Sequence, residues 1–271
     1  MPAELVIDHV TVAGSDLKNM EARLASIGLR SEYGGPHSNH ATEMALTSFP
    51  DGSYLELIAI PNGADEKAVE AHYWSKELRG NAGPTAWAIR TKDITSEIVR
   101  VEQAGAVVSE PVRAGRERPD GVRLDWETAN IGSGPNGTFF PFMIQDFSKR
   151  EQRAYPSGKP TTEEFKGVSR VVIAVRDLAA STARYRKIFV LPAPVQQADE
   201  ALGARLAIFK GTPAVLAAPL NDQSFIAARL RDFGEGPCAF VLRSRHSSGN
   251  ASSRKVSWFD AAKLGWHLGS E

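Results

Sequence analysis

The 271-residue chain is predicted to be an α+β protein of tandem β-α-β-β-β units. These pair into two halves with curved mixed sheets, and the last unit is truncated. Three observations carry this. The segment DHVTVAGSDL (8–17) returns as SRVVIAVRDL (169–178), and GPTAWAIRT (83–91) returns as GPCAFVLRS (236–244). The anchors keep their order. Their offset drifts from 161 residues (His9 to Arg170) to 158 (Pro61 to Pro219) to 153 (Gly83 to Gly236), as a few loop deletions would produce. Within each repeat, β-branched runs alternate with apolar residues at helical spacing.

Residues 4–12 are rich in β-branched side chains and read as a strand. Asp16 is a suitable N-cap for a helix carrying Leu17, Met20, Leu24 and Ile27, which Gly28 ends. Strands are expected near 31–33, at 42–49 and at 54–60, the last two joined by a Pro50-Asp51-Gly52 turn. A short helix over 66–78 bridges to the second unit. That unit has a strand at 85–90, a helix at 95–104 and strands near 107–112, 123–128 and 138–145. The stretch 146–166 is charged, holds two prolines and lacks apolar periodicity, so it reads as a linker. The expected domains are 1–150 and 165–271. The third unit has a strand from 168, a helix over 178–189 and strands at 204–209 and 214–218. The fourth starts near Cys238 and has little room for a full unit.

Lys and Arg total 32, as do Asp and Glu, so no net positive field draws nucleic acid or an anionic membrane. One cysteine excludes an intramolecular disulfide and a thiolate-rich zinc site. No apolar run is long enough to span a membrane, and the N-terminus lacks a signal-peptide pattern. The expectation is a soluble cytoplasmic protein whose partner is a small-molecule substrate, with a homodimer left open. The GxGxxG at 132–137 contains a proline and precedes no helix, so it reads as a turn rather than a phosphate site. The basic stretch 113–123 reads as an exposed loop.

Strand alternation puts Ile7, His9 and Thr11 on one face, and Tyr54, Glu56, Ile58 and Ile60 on one face of another strand. A His and a Glu among apolar neighbours are costly unless they pair with each other or bind a metal. Residue types alone leave both readings open, with a hydrogen-bonded core pair the plainer one. Trp126 alternates with the charged Asp125 and Glu127 and is expected to face inward.

The stretches IDHVTVAGSDL, GGPH (34–37), DGSYLELIAIP (51–61), GPTAWAIRTKDI and WFDAAKLGWHLG together resemble the vicinal oxygen chelate superfamily, and within it the glyoxalase-like domain proteins. The resemblance implies sheets closed around a cup, with metal ligands on the first and last strands of a unit. His9 and Glu56 fall on those positions. The second unit has Ala86 and Pro141 there, so it lacks both expected ligands. His37, which completes GGPH, is the preferred third ligand over His40. A His9, His37, Glu56 set suits a divalent metal: Fe, Mn, Ni or Zn. In the second half Arg170 and Ala214 replace His9 and Glu56, which implies a structural partner or an anion-accepting pocket. His246 and His267 are expected at the surface.

The implied function is a metal-dependent lyase, isomerase or dioxygenase that chelates a small oxygen-bearing metabolite through two oxygens. The alternative is a metal-free small-molecule-binding protein of the resistance or sequestration type. In either case Tyr54, Trp87, Trp126, His40 and Gln145 are the expected substrate-binding residues.

Overall fold

A computed structural model describes residues 4–37, 39–118, 120–245 and 255–271. The first unit runs β1 (Ile7–Gly14), α1 (Leu17–Ala25), β2 (Glu32–Pro36), β3 (Glu43–Ser48) and β4 (Tyr54–Ala59). Asp16 caps α1 by accepting from the Asn19 amide. The helix expected over 66–78 is two, α2 (Glu66–Ala71) and α3 (Ser75–Arg79), because His72 leaves the helical conformation. The His72 Nδ1 accepts instead from the Trp74 amide at 3.1 Å.

The second unit has β5 (Gly83–Arg90), α4 (Ile94–Gln103), β6 (Val112–Glu117), β7 (Arg123–Asn130) and β8 (Phe142–Asp146). The strand expected near 107–112 is only an isolated bridge, Val108 to Ile131. The strand proper begins at Val112 and takes in much of the stretch read as an exposed loop. Its charged residues are tolerated because β6 is a sheet edge. The expected linker holds α5 (Arg150–Ala154), whose arginines reach back into the first sheet.

The second half has β9 (Phe165–Ala174), α6 (Leu178–Phe189), β10 (Val195–Asp199), β11 (Ala204–Ile208), β12 (Ala214–Pro219) and α7 (Phe225–Phe233). It ends with β13 (Gly236–Ser244), β14 (Ser257–Trp258), α8 (Ala261–Leu264) and β15 (His267–Ser270). The polar strand β10 carries no apolar alternation and was not expected.

Two curved sheets result, β2-β3-β4-β1-β5-β8-β7-β6 and β10-β11-β12-β9-β13-β15-β14. In each, the first strands of the paired units lie antiparallel at the centre (β1 with β5, β9 with β13), and each also pairs in parallel with a later strand of its own unit. The halves share one core. Val10, Val12, Trp87 and Ile89 pack in the same cluster as Val171, Ile173, Phe240 and Leu242. Burying this apolar surface stabilises at roughly 25 cal/mol per Å². Each sheet thus turns one face to the other and curves its opposite face into a cup. Among the described residues, no helix is long and apolar enough to cross a membrane.

Candidate metal and substrate site in the first cup

The site is set by an irregularity in β1. Ile7 pairs with Ile89 of β5 and His9 with Ala88, so Asp8 is an extra residue. Such a bulge resets which side chains face inward. Ile7 therefore turns to the shared core rather than joining the His9 face as strict alternation predicted. Asp8 and His9 become hydrogen-bonded neighbours: His9 Nδ1 donates to Asp8 Oδ1 at 2.6 Å. Asp8 is fully buried, and Arg150 Nη1 (2.5 Å) and Arg153 Nη2 (2.7 Å) from α5 clasp its other oxygen. Burial alone would raise the Asp8 carboxyl. Arg153, Arg150 and the His9 hydrogen bond outweigh it and hold the group well below the usual carboxylate range.

An ionised Asp8 can only accept, so a proton stays on His9 Nδ1, and Nε2 is the nitrogen whose lone pair a neutral ring would present. That Nε2 lies 3.8 Å from Glu56 Oε2, and His37 Nε2 lies 3.6 Å from Glu56 Oε1. The His37 ring is oriented by a contact of Nδ1 with Thr42 Oγ1 at 2.8 Å, a hydroxyl that can either donate or accept. Thr11 donates to Glu56 Oε2 at 3.3 Å. Burial would raise the Glu56 carboxyl, but the contact with His37, then the charges of His9, His37 and Arg116, bring it down to about 2.

His9, His37 and Glu56 are thus brought together. Their separations exceed an N–H···O hydrogen bond. They are near the ~3.4 Å expected between two ligands placed ~2.1 Å from a tetrahedral ion. Lone pairs facing a carboxylate repel it unless a cation or a proton stands between. The donors therefore suit a divalent metal in kind, and the two imidazole–carboxylate separations are in range for one. Among the described residues, no three histidine, cysteine or acidic side chains form a ready cage. Metal binding would draw the imidazoles in around Glu56.

The cavity beside them measures about 270 Å³. Tyr54 and Trp126, two of the residues expected to bind substrate, line it. One face of Tyr54 is already taken, since its ring stacks on His9 at 4.9 Å and 5°. The other three expected binders do not reach the cavity. Trp87 is fully buried in the shared core, because Ala86 and Ala88 take the cup-facing positions of β5. His40 is exposed in a left-handed turn (φ 58°). The Gln145 Oε1 accepts from the Ile94 amide at 2.8 Å, at the start of α4.

Register corrects two further positions. Thr11 pairs with Glu56 and Ala88 with Phe142, so Phe142, not Pro141, stands where Glu56 does in the first unit. Phe142 lines the cavity and meets His9 edge-on at 5.4 Å. In the second half Val215, not Ala214, shares the cup face with Arg170 and Val172. Arg170 forms an ion pair with Glu271. His267 is half-buried against Phe225 at 3.9 Å rather than at the surface, and His246 lies outside the described residues.

Asp8, His72 and Arg116 are among the site residues that escaped sequence reading. His72 lines the cavity, and burial, reinforced by His37, lowers its pKa to about 4. Its Nδ1 accepts from the Trp74 amide, so its proton sits on Nε2 as a neutral donor.

No curated protein matches the chain. Among solved structures, a hypothetical protein from Staphylococcus aureus aligns over 98% of both chains at 14% identity and TM-score 0.69. A mutant 4-hydroxymandelate synthase from Streptomyces coelicolor aligns over 90% of this chain and 71% of its own, at 16% identity and TM-score 0.56. At such identities the likeness is one of fold. The Glyoxalase-like domain family matches residues 7–189, more than half of the sequence, across the first cup and into the second half. The chain therefore belongs to the glyoxalase-like domain family of the vicinal oxygen chelate superfamily.

Proposed function

We propose that the chain is a divalent-metal-dependent enzyme acting on a small oxygen-bearing metabolite in the first cup. One observation carries this reading: two imidazole Nε2 atoms, each with Nδ1 tied down, face the two oxygens of one ionised carboxylate. His9, His37 and Glu56 would hold the ion, and Asp8 keeps His9 in the tautomer that can ligate. A bound divalent ion supplies Lewis-acid stabilisation of charge developing on a substrate oxygen. Around it, neutral His72 offers a hydrogen-bond donor and Thr11 steadies Glu56. Tyr54 and Phe142 pack on His9 and shield it from water.

A second reading, a metal-free ligand-sequestering protein, is favoured by Ala86 and Phe142 occupying the ligand positions of the second unit. Metal analysis of the untagged chain separates the two. The enzyme reading predicts near-stoichiometric metal in the wild type and its loss in His9→Ala and Glu56→Ala. Substoichiometric metal that neither variant changes would leave the binding-protein reading.

A further inference from the structure

We propose that Arg116 recognises a carboxylate, and that the ligand of the first cup is a small organic acid whose apolar body lies against Trp126 and Phe142. This deepens the reading of the first cup as the functional site but does not depend on a metal there. Arg116 lies on β6 and is only 8% exposed, yet it lines the cavity. Its Nη1 donates to the Gly34 carbonyl at 2.5 Å. Among the described residues, no carboxylate comes within ion-pair reach of it.

Of the other buried arginines, Arg229 also has no ion pair among the described residues but donates to the Gly234 and Pro237 carbonyls, whereas the two that face a cup are paired. Arg153 lines the same cavity but is neutralised by Asp8 and Asp146, and Arg170 by Glu271. A guanidinium is always charged, and burying one without an anion is costly. Glu56 is the one acidic residue lining the cavity among the described residues; it feels the Arg116 charge only from beyond ion-pair distance, and its oxygens are engaged by His9, His37 and Thr11. A ligand carboxylate would supply the missing anion through two parallel N–H···O bonds, which a planar guanidinium is shaped to make. The volume of about 270 Å³ falls just below the roughly 300–1,000 Å³ of sites for drug-sized ligands, so the acid is small. A single arginine, without a helix N-terminus beside it, suits a carboxylate better than a phosphate.

The test is calorimetric titration of the chelator-treated, untagged full chain with benzoate, cinnamate, their primary amides and phenyl phosphate. The wild type is expected to bind each acid at least about tenfold more tightly than its amide. In Arg116→Gln that preference should vanish. Arg116→Lys, which keeps the charge, should retain part of it, as a variant that merely misfolds would not. Three results overturn the proposal: no acid-over-amide preference in the wild type (no binding by any probe included), a preference surviving in Arg116→Gln, or phenyl phosphate binding more tightly than the acids. Because the ion is removed beforehand, failure of the metal reading leaves this outcome unaffected. Normal metal binding without acid preference would remove the carboxylate assignment alone.

Discussion

Replacing Asp8 by Asn tests the foundation of the site. The side chain keeps its size but loses its charge. Asp8 is fully buried and receives His9 Nδ1, Arg150 Nη1 and Arg153 Nη2 within 2.7 Å. Arg153 is itself only 3% exposed and would keep Asp146 as its sole anion. Removing one partner of a buried ion pair costs about 3–5 kcal/mol, because the other charge stays buried. At about 2–4 °C per kcal/mol for a chain of this size, melting should fall by about 6–20 °C. Urea unfolding followed by tryptophan fluorescence gives the free energy directly. The sign with pH follows from the depressed carboxyl. Its stabilisation is complete above the unfolded value of about 3.9 and is lost as pH falls toward the lower folded value. Wild type and Asp8→Asn should therefore converge in stability as acid is added below about pH 4. A loss under about 1 kcal/mol, or a stability gap unchanged down to pH 2, would refute the account of α5 clasping β1 through Asp8.

Further outcomes follow from the same geometry. Trp87→Ala should cost about 3–5 kcal/mol in urea unfolding, since the ring fills the shared core. Gly137 has φ +70°, and a Cβ there would meet the Trp87 carbonyl oxygen at 2.6 Å. Gly137→Ala should therefore destabilise by about 2 kcal/mol or more, read as a shift in denaturation midpoint. His40→Ala, at an exposed turn outside the cavity, should leave both stability and metal content unchanged within about 0.5 kcal/mol.

The repeats made the unit order legible, because the strand–helix starts of the first three units carry a local signal in Asp16-Leu17, Asp93-Ile94 and Asp177-Leu178. His9, His37 and Glu56 stood out as polar residues in apolar or motif settings, and the fold brings them together. What remained hidden depends on partners distant in sequence. Asp8 looks like an ordinary strand residue until a bulge turns it beside His9, and Arg150 and Arg153 lie in a stretch whose charges suggested a solvated linker. Trp87 was misplaced because an aromatic residue next to a cup position reads equally as wall or as core. Only the pairing of β5 with β1 decides which face it takes. Arg116 was hidden by its charged neighbours, which lie on the open edge of the sheet while it faces inward.

The central claim is that His9, His37 and Glu56 hold one divalent ion. Anomalous diffraction from crystals of the untagged protein grown with manganese tests it most directly. The account predicts a single strong peak in the first cup, within about 2–2.5 Å of both Nε2 atoms and a Glu56 oxygen. A first cup without a peak, under conditions where the protein is folded and manganese is in excess, would contradict it.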